Sequence, residues 1–215
     1  MPYPSLRLFR PDFDRPTSRP LLVSTLLITM ALPQAQAGDI VLWANQQGSG
    51  NTSTIEQSSS SDLTTRIEQS GNHNTIDLTQ HDTGNTATDL LQRGDDNHIQ
   101  FSTSLAIDGR FRLEQQGDGN DIGLTASGSG LEADLDQYGD GNTLDIEMSG
   151  TSLDITASQI GDNNEIIARH RGHDLSSSAS QIGNDNRLTI SQSDSGSTIS
   201  VTQSGDGNHT TIEQY

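Results

Sequence analysis

The pattern Gln-x-Gly-x-x-Asn occurs eight times in this chain. Its glutamines are Gln46, Gln69, Gln92, Gln115, Gln137, Gln159, Gln181 and Gln203, and its asparagines are Asn51, Asn74, Asn97, Asn120, Asn142, Asn164, Asn186 and Asn208. The first three steps are 23 residues long and the last four are 22, which leaves no room for a separate domain between copies. A period this short marks a chain built from stacked identical units. Two residues before each Gln stand Ala44, Ile67, Leu90, Leu113, Leu135, Ala157, Ala179 and Val201. Four after each Asn stand Ile55, Leu78, Phe101, Leu124, Ile146, Ala168, Ile190 and Ile212. The residues between are mostly Thr, Asp, Glu, Ser and Arg, and that alternation predicts strands with one buried face. Glycine and aspartate two to four positions after Gln predict a turn. Each unit therefore reads strand–turn–strand–turn, with Gln closing the first strand and Asn opening the second, both facing inward. Stacking eight such units predicts an all-β, two-sheet β-solenoid, a rod roughly 40 Å long at about 4.8 Å per rung. A β-sandwich of ordinary hairpins would show no such strict period.

Inward amides are costly unless hydrogen-bonded. Stacked rung upon rung, they can bond one another in ladders. A ladder has two ends, and an uncapped solenoid presents open sheet edges that recruit another chain. The copies differ in ways that bear on those ends. A second Gln, six after Asn, occurs at Gln57, Gln80, Gln192 and Gln214, whereas the middle copies carry Thr103, Ala126, Met148 and His170 there. Two after Asn, the column reads Ser53, Ile76, Ile99, Ile122, Leu144, Ile166, Leu188 and Thr210. The complete set thus belongs to the outer copies: Gln46, Asn51, Gln57, Gln69, Asn74 and Gln80 at one end, and Gln181, Asn186, Gln192, Gln203, Asn208 and Gln214 at the other. These are the candidate self-assembly residues. Three after Gln stand Asp95, Asp118, Asp140, Asp162 and Asp206. Stacked about 5 Å apart, these carboxylates repel one another by about 1 kcal/mol per pair in water. They are candidate gatekeepers against premature stacking.

The 215 residues carry a net charge of −18 with 29% hydrophobic residues, no cysteine, and only arginine as the strong base. The charge argues against nucleic acid, which needs clustered bases. The missing cysteine excludes a disulfide framework and a zinc–thiolate site. Residues 1–37 read as a signal peptide. Arg7, Arg10, Arg15 and Arg19 precede an apolar run, Leu21 to Leu32, and Ala35-Gln36-Ala37 offers a cleavage site. Twelve residues are too few to span a bilayer as a helix. The mature chain, residues 38–215, would then be an exported repeat domain without a membrane span.

Gln-x-Gly-x-x-Asn-x5-Gln at this spacing resembles the curlin repeat of bacterial curli fibres. The closing segment Val201-Thr-Gln-Ser-Gly-Asp-Gly-Asn-His-Thr-Thr-Ile-Glu-Gln-Tyr215 is similar to the end of the major curlin subunit. The resemblance covers residues 40–215. It implies an extracellular, cell-surface amyloid fibre of biofilm matrix and adhesion, a homopolymer of this chain. As partners it implies an outer-membrane secretion pore and a nucleator subunit. It also implies that Gln46, Asn51 and Gln57, with Gln203, Asn208 and Gln214, carry seeding. Three features differ from the family: the inward Ser six before Gln survives only as Ser197, the leader before the first repeat is only Gly38 to Asn45, and there are eight copies. A minor, nucleating subunit is the alternative within the family.

No catalytic residue, cofactor site or metal site is expected. Carboxylates sit in repeated turns, and no copy carries a separate His/Asp/Arg cluster. His170 and His173 flank Arg171-Gly172 and read as a solvated loop between rungs. Gly-Asp-Gly-Asn turns resemble calcium-binding β-rolls, but the nine-residue pattern is missing. A monomeric acidic solenoid binding calcium or a surface ligand is therefore the other alternative. The outward pair after Asn is Thr52/Thr54 in the first copy only, so no ice-binding threonine array is expected there.

Overall fold

The structure is a computed structural model that describes residues 7–9, 24–31, 39–58, 61–81, 83–104 and 106–215. The described residues contain eighteen strands and no helix. Each repeat supplies two strands. The first strands are β3 (Ile40–Gln47), β5 (Leu63–Ser70), β7 (Ala87–Arg93), β9 (Arg110–Gln116), β11 (Glu132–Tyr138), β13 (Asp154–Ile160), β15 (Ser176–Ile182) and β17 (Thr198–Ser204). The second strands are β4 (Thr52–Ser58), β6 (Thr75–His81), β8 (His98–Ser104), β10 (Asp121–Ile122), β12 (Thr143–Glu147), β14 (Glu165–His170), β16 (Arg187–Gln192) and β18 (His209–Gln214). First strands pair only with first strands and second with second, always parallel, in two nine-stranded sheets. The fold is the β-solenoid that the period predicts.

Register follows the repeat residue for residue. Gln137 pairs with Gln115 on one side and Gln159 on the other. Because strand side chains alternate, this register puts every inward residue of one rung on the equivalent residue of the next. The seam between the sheets is one continuous core that includes Ile55, Ile67, Leu78, Leu90, Phe101, Leu113, Leu135, Ile146 and Ile190. A further inward column six before Gln extends it, with Ile40, Leu63, Leu131, Leu153 and Leu175 all buried. Each such aliphatic side chain contributes about 1.5–3 kcal/mol by leaving water. In β3, Trp43 faces outward, where the Arg66 guanidinium lies 5.2 Å from its ring centre.

One unit departs from the pattern. β10 is cut to two residues, and Leu124 beyond it takes φ of 137° while staying buried. Thr125 rejoins the sheet through single bridges to Ser102 and Glu147. The irregularity falls between Asn120 and Gln137, where the period shortens from 23 to 22 residues. The lost residue is absorbed locally, so both flanking ladders keep their register.

Two strands precede the repeats. β1 (Arg7–Phe9) pairs with β3, and β2 (Thr25–Ala31) pairs with β4. Segments of the expected signal peptide thus take the rung position before the first repeat. The cleavage pattern Ala35-Gln36-Ala37 lies outside the described residues. No helix among the described residues is long and apolar enough to cross a membrane. At the other end β17 and β18 are the outermost strands of their sheets.

Candidate functional site: amide ladders and the two ends of the rod

Gln and Asn flank the same turn, so stacking the turns builds two parallel amide columns. In the first, Gln46 Nε2 donates to Gln69 Oε1 at 2.6 Å, and the relay continues through Gln92, Gln115, Gln137, Gln159 and Gln181 to Gln203 at 2.7–2.9 Å. The second Nε2 hydrogen crosses to the other sheet. Gln69 gives it to the Thr52 carbonyl, Gln137 to Asp121, and Gln203 to Arg187. The interior glutamines Gln69 to Gln181 are completely buried. Each has both hydrogens donated and its oxygen accepting, which removes the cost of burying it.

The Asn column runs the other way. Asn74 Nδ2 and its backbone N–H both donate back to Asn51 Oδ1, and the same pair of bonds repeats up to Asn208 on Asn186. The remaining hydrogen of Asn51 reaches the Gly71 carbonyl of the next turn at 2.8 Å, and that of Asn164 reaches Gly183. The intervening glycines are fixed by this contact. Gly117 has φ of 118°, and a Cβ there would lie 2.1 Å from the Gly139 carbonyl oxygen, so no larger residue fits between stacked turns.

The turn aspartates do more than repel one another. Asp118 Oδ1 accepts the Asp95 backbone N–H, Asp140 that of Asp118, and Asp162 that of Asp140, at 2.8–2.9 Å. Asp95 accepts from Asn72, and Asp206 from Asn184. Asn72 and Asn184 play the same acceptor part for Ser49 and Asp162. These turns therefore carry a third ladder on the exposed edge. The sequence assigns these aspartates a place in the turn and a mutual repulsion; the structure adds the acceptor role. The signal that could have revealed the ladder was the substitution of Asn, never Lys or Arg, in this column.

The second Gln column is interrupted. Gln57 donates to Gln80 at 2.9 Å and Gln192 to Gln214 at 3.4 Å, and each of Gln57 and Gln80 also reaches a threonine of the facing sheet, Thr65 and Thr88. Between them Thr103, Ala126, Met148 and His170 carry no amide. His170 is a correction to the sequence reading: it ends β14 and is fully buried, with neither ring nitrogen bonded, whereas His173 is exposed. The alternation of β14 continues through it, Ile166 and Ala168 sharing its face. Burial without a partner pushes its pKa down to about 4.

The candidate assembly residues thus lie in three stacks on the inner faces. Asn51, Gln57, Gln69, Asn74, Gln80, Gln181, Asn186 and Gln192 are buried, and Gln203 nearly so. Gln46, Asn208 and Gln214 are half-exposed because they belong to the end rungs. Among the described residues no group of three or more His, Asp or Glu side chains converges on a metal-sized space. The chain matches no protein-family model, and no curated protein matches it.

Proposed function

We propose that this chain is an exported structural subunit that polymerises end to end into a curli-type amyloid fibre at the cell surface, after removal of residues 1–37. The observation that carries this reading is the rung-on-rung register: every strand pairs in parallel with the equivalent strand of the next repeat, so identical units stack through identical contacts. The Gln, Asn and apolar columns run in line through the rod, buried from rung to rung. A following copy would extend the backbone ladders, both amide ladders and the seam in one step. Regular sheet edges pair with another chain. The repeat resemblance to curlins supports the same reading, as does the short apolar run with its cleavage pattern. The acid ladder in the turns adds negative charge that slows stacking until chains are concentrated outside the cell.

The test is a thioflavin T time course on residues 38–215, diluted from denaturant, with fibre diffraction on the product. A lag followed by growth, and a reflection near 4.7–4.8 Å, is the expected result. A soluble monomer with β-type circular dichroism at all concentrations would end the proposal. The full-length chain, in which β2 sits on β4, should show the longer lag.

A further inference from the structure

The inner columns do not tell one repeat from another. Gln and Asn are the same in all eight copies, so Gln69 would meet Gln115 as well as it meets Gln92. The aliphatic column two before Gln is nearly as uniform. Inward pattern fixes the register within a rung, but not which rung lies next. β5 can therefore pair with β9 in correct inward register, leaving out the repeat between them. Closing a loop twice as long disfavours that contact only about threefold.

The outer face of the first sheet does tell the repeats apart. Three residues before each Gln stand Trp43, Arg66, Asp89, Arg112 and Asp134, stacked in register from β3 to β11. The four charged members alternate in sign. The Arg66 guanidinium lies over Trp43 and donates to both carboxylate oxygens of Asp89 at 3.2 Å. Arg112 donates to Asp134 and to Asp136 of the same strand, each at 2.7 Å. With one repeat omitted, Arg66 would lie on Arg112, or Asp89 on Asp134, about 4.8 Å apart. Like charges directly opposite on neighbouring strands are destabilising.

The second sheet takes over further along the rod. Arg169 of β14 bonds Asp145 at 2.5 Å and Glu147 at 3.3 Å, both in β12, and Arg187 of β16 bonds Glu165 of β14 at 3.1 Å. Leaving out β14 would set Thr189 and Ser191 against Asp145 and Glu147. Among the described residues, every ion pair lies within one strand or between adjacent rungs.

We infer that the outward arginines select the order of the repeats as the chain folds: alternating charge makes the neighbouring repeat attractive and the next but one repulsive. The amide ladders supply adhesion, and the charges decide between equally adhesive partners. An exposed ion pair adds little to the finished rod, but early pairings of nearly equal free energy are decided by small differences. This assignment holds whether or not the chain polymerises.

The chain has no cysteine, so introduced thiols report pairing alone. Ala87 is the register neighbour of Thr64 on one side and of Arg110 on the other. Thr64→Cys with Ala87→Cys reports the adjacent pairing, and Thr64→Cys with Arg110→Cys reports omission of a repeat. A disulfide needs Cα atoms closer than about 7 Å. Adjacent strands, at about 4.8 Å, meet this limit, and strands two rungs apart, at about 9.6 Å, do not. The full chain is oxidised at low concentration as it refolds from denaturant, and each yield is divided by that of the same chain oxidised in denaturant. With the natural charges the omission yield should be about tenfold below the adjacent one. Arg66→Asp with Asp89→Arg keeps the net charge and keeps positions 66 and 89 of opposite sign. It makes position 66 attractive to Arg112 and position 89 attractive to Asp134, and should raise the omission yield about fivefold. A salt concentration of 1 M, which cuts the screening length to about 3 Å, should raise the omission yield of the natural chain and bring the two chains within about twofold of each other. The salt arm needs no charge substitution, so it decides the matter if the exchanged chain fails to fold. An omission yield left unmoved by the exchange in a chain that folds, or by salt in the natural chain, would overturn the assignment.

Discussion

Two columns of the same rod bury glutamine, and they fare differently. In the column that runs from Gln46 to Gln203 all eight positions are Gln, and each amide finds its neighbour. In the column six after Asn, Gln57 and Gln80 at one end are separated from Gln192 and Gln214 at the other by four residues without amides. Among the described residues, the buried side-chain atoms left without a partner are Gln57 Oε1, Thr103 Oγ1, both His170 nitrogens and Gln192 Oε1. All five belong to the interrupted column. A buried amide is therefore not satisfied or unsatisfied by its own environment. It is satisfied by its neighbours: Gln192 Oε1 lacks a donor where His170 is its register neighbour, whereas Gln80, on the other side of the break, turns its hydrogen to Thr88.

The comparison can be broken most directly by interrupting the complete column. Gln137→Leu would leave a Gln115 hydrogen without an acceptor and the Gln159 oxygen without its donor, in a site closed to water. The expected loss is about 3 kcal/mol in urea unfolding. Met148→Leu, in the already interrupted column and equally buried, should stay within about 1 kcal/mol. Equal losses would show that the ladder adds nothing beyond packing.

His170 should make the interrupted column sensitive to acid. Its folded pKa, about 4, lies below its unfolded value of 6.5, so the unfolded chain binds the proton first. Stability is full above pH 6.5 and declines as pH falls toward 4, by about 3 kcal/mol in all. His170→Gln would place an amide beside Gln192, its register neighbour, and should flatten this dependence. Unfolding followed at pH 7.5, 5.5 and 4 separates the two chains; parallel curves would remove His170 from the account.

A smaller gain should come from Thr103→Val, which deletes an unpaired hydroxyl while keeping the shape. It should stabilise the rod by about 1 kcal/mol, read as a higher urea midpoint. The exposed turn ladder offers the finest distinction. Asp118→Asn keeps the acceptor for the Asp95 N–H, as Asn72 and Asn184 do naturally, and removes one charge. Stability should change by less than about 0.5 kcal/mol, as for other surface substitutions, while the assembly lag shortens. Asp118→Ala, which removes acceptor and charge together, should cost about 1 kcal/mol. If the two variants shared one lag and one stability, charge and hydrogen bonding would be inseparable at this turn.

Much of the molecule was legible without coordinates. Eight Gln–Asn pairs at 22–23 residues and the alternation around them dictate strands, inward amides and stacking, because every rung repeats one environment and period-2 geometry allows only one face to be buried. The direction of each ladder was not legible. Which hydrogen of Gln69 or Asn74 goes to which oxygen depends on atoms 17 to 23 residues away, and a residue pattern does not encode that choice. His170 reads as a loop residue in the sequence because Arg169, Arg171 and Gly172 around it are polar or small; only continuation of the β14 alternation buries it. Ser53 and Thr210 interrupt an otherwise aliphatic column in the sequence, but their hydrogen bonds needed the positions of Gln46, Gln69 and Gln203 beside them. The sequence by itself determined the repeat, the faces and the buried columns, since those follow from local periodicity. The tertiary structure alone decided hydrogen-bond polarity, the saturation of the end rungs and the place of β1 and β2 on the first edge, because each of these is set by contacts between rungs.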